Sequence, residues 1–156
     1  MKHRILMAAV ALLAFSSYSA GKTYYVGIKA QSRLLGTSGE PFLTVEQAAA
    51  AVKPGDTVII KAGTPNVDIN SIPAGEPGKP ITIKGELLAI TSPIILKSDQ
   101  VIDGFDIVSA GSGVKGTSVS NITLRNGKIH GMTGSTGMVL GGISNFLIED
   151  VEIYDL

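Results

Sequence analysis

No cysteine occurs among the 156 residues. That excludes a disulfide scaffold and any zinc or iron–sulfur site built on thiolates. Tryptophan is absent as well, and aromatic residues make up only 5% of the chain. Charge is sparse and balanced: charged residues are 17%, with 13 Lys and Arg against 13 Asp and Glu. A nucleic-acid binder usually shows a basic surplus on one face, so this balance argues against that class. The composition is neither that of a disordered polyelectrolyte nor that of a helical bundle. Past residue 15 there is no apolar run long enough to cross a bilayer. What is plentiful is glycine, 19 residues, with 7 prolines, in a chain rich in Ile and Val. Such a chain makes many short strands joined by turns.

The first twenty residues stand apart from this pattern. Lys2, His3 and Arg4 are basic, residues 5–15 are uniformly apolar, and Ser16, Ser17, Ser19 and Ala20 are small. That order predicts a secretory signal peptide over residues 1–20. Two basic residues and no acidic one lie in it, so the remainder carries a net charge of −2. The mature protein is expected to be secreted or periplasmic and free of the membrane. A cysteine-free chain suits an oxidising compartment, because it has no thiol to mispair.

Residues 21–55 are expected to form a short strand at 23–28 and one helix at 44–53. Thr44 and Gln47 have the spacing of a capping box. Val45, Ala48, Ala49 and Val52 make one apolar stripe, and Pro54-Gly55 stops the helix.

Residues 56–156 repeat instead. The segment from Ser98 to Ile107 recurs from Ser120 to Ile129 and again from Ser144 to Ile153, at offsets of 22 and 24 residues. Weaker copies begin at Val58 and Ile81. Five copies set Ile60, Ile83, Ile102, Leu124 and Ile148 in one inward column. Lys61, Lys84, Asp103, Arg125 and Glu149 follow in an outward one. The next column is Ala62, Gly85, Gly104, Asn126 and Asp150, mostly residues that tolerate left-handed backbone. After that bend Ile107, Ile129 and Ile153 point inward, and Asp106, Lys128 and Glu152 outward. Strand, bend and strand repeated every twenty-odd residues is an all-β fold, a parallel β-helix, with one N-terminal capping helix. One coil cannot bury its aliphatic side chains alone, whereas stacked coils share a continuous core. Phe146, Ile148, Val151 and Ile153 are left with an open neighbour, and the expected reading is the N-terminal piece of a longer chain.

Several short stretches carry the resemblance to a known family. They are Thr23-Tyr24-Tyr25-Val26, Pro41-Phe42, Lys53-Pro54-Gly55-Asp56-Thr57-Val58, Ala62-Gly63-Thr64 and Pro77-Gly78-Lys79-Pro80-Ile81-Thr82-Ile83-Lys84-Gly85. In this order they resemble the opening of right-handed parallel β-helix proteins of the pectate-lyase-like superfamily. Secreted polysaccharide lyases of the pectate lyase, chondroitinase-B-like and alginate-lyase-like kinds are the similar ones. Two departures are Gly27-Ile28-Lys29-Ala30-Gln31, where the family often has a Ser-Pro-Gly-Ser-Asp-like stretch, and Pro65, where an aromatic often stands. The resemblance implies β-elimination on a uronic acid, with a Lys or Arg base on a middle coil and Ca²⁺ on neighbouring acids. No position here matches a family catalytic residue, so the catalytic residues are unassigned and no lyase activity is expected from residues 21–156 alone.

The candidate sites are therefore read from the ladders. Lys61, Lys84, Arg125 and Lys128 could bind an acidic polysaccharide. Asp103 and Asp106, with Asp150 or Glu149, could share Ca²⁺, which needs six or more converging oxygens. The plainer reading of both sets is a solvated face of modest ion pairs. His130, the one histidine after residue 20, shows no partner in the sequence. Asp99, Asn121 and Asn145 are expected to stack as a structural ladder. The glycine-rich stretches 111–113 and 134–137 open no helix and so make no phosphate loop. Functionally the chain reads as the N-terminal portion of an exported carbohydrate-active protein, a lyase-like enzyme or hydrolase. A non-catalytic surface or adhesion β-helix and an inactive fragment are the rivals.

Overall fold

Alternating aliphatic residues with a left-handed residue in mid-strand can bury one side of a chain only if copies stack. The computed structural model, which describes residues 20–28, 33–65, 67–90, 93–108, 111–132 and 134–156, shows that stack. Its strands are β1 (Thr23–Val26), β2 (Thr57–Ile60), β3 (Ile81–Ile90), β4 (Ile94–Ile95), β5 (Gln100–Val108), β6 (Val114–Thr117), β7 (Ser120–His130), β8 (Met138–Gly141) and β9 (Ser144–Ile153). One sheet has six strands in the order β1-β2-β3-β5-β7-β9, and a second has three in the order β4-β6-β8. Every pairing between these strands is parallel. The fold is a parallel β-solenoid of about four turns. The expected signal peptide lies outside the described residues except for Ala20.

The register corrects one column. Ile83, Ile102, Leu124 and Ile148 do stand above one another, but their partner in β2 is Val58, and Ile60 lies opposite Gly85. Lys84 consequently stands opposite Ile59, and Lys61 falls outside the charged column. Val58-Ile59-Ile60 is apolar throughout, so alternation cannot fix its phase. Asp56 fixes it instead. Its carboxylate accepts from the backbone N–H of Lys22 at 2.7 Å and of Lys53 at 2.9 Å, which seats the start of β2 beside β1.

The bends fall where left-handed residues were expected in the later coils. Gly104, Asn126 and Asp150 have φ of 77°, 53° and 51°. On either side of them the aliphatic side chains turn inward: Ile102, Ile107, Leu124 and Ile129 are all buried. Phe105 fills the space above Gly127, where a Cβ would run into its ring.

The one α-helix among the described residues, α1 (Val45–Ala51), begins with the expected capping box. The Thr44 hydroxyl accepts from the Gln47 N–H, and the Gln47 side chain accepts from the N–H of Thr44. Val45 and Ala48 are buried in the common core, against β1 and the 3₁₀ turn at Ile69–Ser71. The outer edge of β1 is occupied too. Tyr25 donates to Gly36 O, Phe42 donates to Tyr25 O and Gly27 donates to Phe42 O, at 2.8–2.9 Å. At the other end of the stack, Ile148 and Ile153 are 44% and 43% exposed, whereas Leu124 and Ile129 below them are at 0%.

Candidate functional site

A cleft of about 690 Å³ lies on the face of the large sheet. Its floor is the outward column Val101, Thr123 and Leu147, one residue from each of three successive coils. The cleft therefore runs along the solenoid axis. One wall is a tight turn in which Glu76 and Lys79 exchange backbone hydrogen bonds at 2.7 and 3.2 Å, with Gly78 at φ 76°. Gly75 seats that turn against the sheet, donating to Ser98 O; a Cβ on it would collide with the Asp99 carbonyl.

The rim is the expected amide ladder. Asp99, Asn121 and Asn145 hold φ of 57°, 58° and 52°, a conformation their short polar side chains tolerate. Asn121 Nδ2 donates to Asp99 Oδ1, and Asn145 Nδ2 donates to Asn121 Oδ1, each at 2.9 Å. Asp99 is buried as the final acceptor.

The four predicted glycan-binding cations do not come together. Arg125 is two residues further along β7 than Thr123, on the same outward side, and Lys84 shares that outward column on β3, a strand that gives no residue to the cleft lining. Lys61 is elsewhere: its Nζ donates to Ser38 O at 2.9 Å and sits 5.5 Å from the centre of the Tyr25 ring. Lys128 lies past the Asn126 bend, 3.9 Å from Glu152.

The predicted calcium acids are each found in a different setting. Asp103 is outward in register but only 7% exposed, because Arg125 Nη2 and Asn126 Nδ2 of the next coil donate to it at 2.9 and 2.8 Å. Asp106 accepts or shares a hydrogen bond with His130 Nε2 at 2.8 Å. Asp150 is exposed at the last bend. Among the described residues no group of three or more His, Asp or Glu side chains converges as a metal site would require. His130 does have partners that its own sequence neighbourhood conceals. Besides Asp106, its ring lies parallel to that of Tyr154, 4.7 Å away and 4° from coplanar. All three come from successive coils, a relation that only the repeat offset could have revealed.

Burial pushes the Asp103 carboxyl up, but the hydrogen bonds from Asn126 and Arg125 and the charges of Arg125 and Lys84 outweigh it, leaving it below the ordinary carboxylate value. A lowered folded-state pKa adds stability above the unfolded value, about pH 4, and loses it as pH falls through the folded one. Asp103→Asn is therefore expected to flatten the fall in melting temperature below about pH 4. Identical acid profiles for the two proteins would contradict the assignment.

Comparison of the chain with known protein families, with curated proteins and with solved structures gives no match.

Proposed function

We propose that the chain is a β-helix module of an exported carbohydrate-active protein that binds an extended acidic polysaccharide along the cleft. The winding would be right-handed, as in the pectate-lyase-like proteins that its opening motifs resemble. The observation that carries the reading is the shape and chemistry of the cleft. A floor of Val101, Thr123 and Leu147 across three coils offers two aliphatic side chains and a methyl to the C–H faces of successive sugars, the amide rim of Asn121 and Asn145 suits hydroxyls, and Arg125 and Lys84, in the outward column two residues past the floor, suit uronate carboxylates. A polymer fits because the cleft is open along its length.

Titration with oligogalacturonate, oligoalginate and chondroitin oligosaccharides, with neutral dextran as the control, tests this. Saturable binding of at least one acidic glycan is expected, weakened roughly tenfold by Lys84→Glu with Leu147→Asp, the effect of losing a charge contact and an apolar one. No binding to any acidic glycan, or equal binding of dextran, would overturn it. Lyase chemistry needs a base and a cation at one uronate. Arg125 beside the floor is already engaged by Asp103 at 2.9 Å, and His130 and Lys128 lie past the bend, away from the cleft floor. No ultraviolet-absorbing unsaturated sugar is therefore expected from this chain, with or without Ca²⁺, and a clear rise would show that the catalytic group is already present.

A further inference from the structure

The floor of the cleft is interrupted at its β3 end. It runs through β5, β7 and β9 as Val101, Thr123 and Leu147. One coil earlier, the register partner of Val101 is Thr82 on β3. Thr82 continues the column, yet it does not line the cleft. Pro77, Gly78 and Pro80, from the segment leading into β3, line it instead. The tight turn is therefore a wall across the column. It makes the cleft blind at its β3 end while the side stays open to solvent.

That wall is held firmly. Glu76 and Lys79 bond to each other in both directions, Pro77 has a fixed φ, and Gly78 takes the left-handed φ of 76° that such a turn needs. Both feet of the turn are tied to the residues just before β5. Gly75 donates to Ser98 O at 3.1 Å, and Ile81 donates to Asp99 O at 3.0 Å. A sugar seated on Val101 against Pro77 and Gly78 has a straight path for its linkage toward β7 and none toward β3.

On the glycan-binding reading given above, we propose that the cleft recognises a chain end. The terminal sugar of an acidic glycan sits on Val101 against the turn, and the following sugars lie over Thr123 and Leu147. Coils are about 4.8 Å apart, close to the length of one sugar in an extended chain, so the floor offers one sugar per coil. Either terminus of the glycan, reducing or non-reducing, presents a free hydroxyl where an internal sugar carries its next linkage. An internal sugar placed on Val101 would drive that linkage into Pro77 and Gly78.

The probes are oligogalacturonate, oligoalginate and chondroitin oligosaccharides, titrated by calorimetry in three forms: uncapped, with a bulky aromatic cap at the reducing end, and with one at the non-reducing end. At least one cap is expected to weaken binding by about tenfold or more, and it identifies the terminus that meets the wall. Long polymers should load protein in proportion to their number of chain ends. Val101→Asp, beside the wall, should weaken a disaccharide and a hexasaccharide alike by roughly tenfold, whereas Leu147→Asp should weaken the hexasaccharide more. Both side chains lie on the outward face, and melting curves check folding. Tolerance of both caps, loading in proportion to polymer length, or an equal effect of Leu147→Asp at both lengths would overturn chain-end recognition and leave glycan binding standing. Failure of every uncapped acidic glycan to bind would overturn both.

Discussion

Ile129→Asp is expected to abolish the cooperative melting transition. Ile129 is fully buried, in register between Ile107 below and Ile153 above. Among the described residues no cationic side chain hydrogen-bonds or ion-pairs at that position. A carboxylate placed there loses its hydration and the packing of an aliphatic side chain. The combined cost is about 5 kcal/mol, comparable to the whole stability of many domains. The same change at Ile153, 43% exposed, is expected to cost only about 1–2 kcal/mol and to leave a cooperative melt. Lys128→Gln, on the outward side one residue away, should be nearly neutral, since it gives up only an exposed ion pair to Glu152. Circular dichroism melts of the three variants check the set. Unchanged melting of Ile129→Asp would refute its inward position.

Gly104→Ala should give the second-largest loss. Its backbone sits at φ 77°, and a Cβ there would stand 2.5 Å from the Gly85 carbonyl oxygen of the coil below. Left-handed backbone costs an alanine about 1–2 kcal/mol. Because the opposing atom is main chain, the coils must separate locally, which raises the total to roughly 3 kcal/mol. In a chain of this size that lowers the melting temperature by roughly 6–12 °C. Asn126 occupies the equivalent bend one coil on and tolerates its Cβ. Asn126→Ala should therefore lose less, about 1–2 kcal/mol, for the αL preference and the hydrogen bond to Asp103. A smaller effect at Gly104 than at Asn126 would mean that the close approach of the two coils is wrong.

The parts of this fold that could be read from the sequence are those written in each coil separately. Ile102, Leu124 and Ile148 repeat as inward residues, and Gly104, Asn126 and Asp150 repeat as bends, because every coil meets the same steric demand at the same place. The Thr44 and Gln47 cap was legible for a similar reason: both partners lie within one turn of chain. The phase of β2 was not, since Val58-Ile59-Ile60 lacks alternation and the anchoring bonds to Asp56 come from Lys22 and Lys53. The burial of Asp103 was hidden because its cover, Arg125 and Asn126, belongs to the next coil. The sheet β4-β6-β8 was hidden because its strands are two to four residues long, and β6 and β8 follow glycine-rich segments with no periodic signal. The cleft escaped notice because its wall, the turn at residues 76–79, meets a floor drawn from three other coils. The solenoid itself is shown by the strand pairing, whereas glycan binding and export rest on the chemistry of the cleft and of the first twenty residues.

The absence of cysteine makes the stacking directly measurable. Thr123 pairs in register with Leu147 on the solvent side of adjacent coils. Parallel neighbours lie about 4.8 Å apart, within the span that a disulfide bridges. The double variant Thr123→Cys, Leu147→Cys is expected to oxidise to an intramolecular crosslink without loss of the cooperative melt. A control pair at Thr123 and Ile153, on the far side of the Asp150 bend, is expected to stay reduced. Efficient crosslinking of the control, or none in the register pair, would contradict a chain in which each coil rests in parallel on the one before.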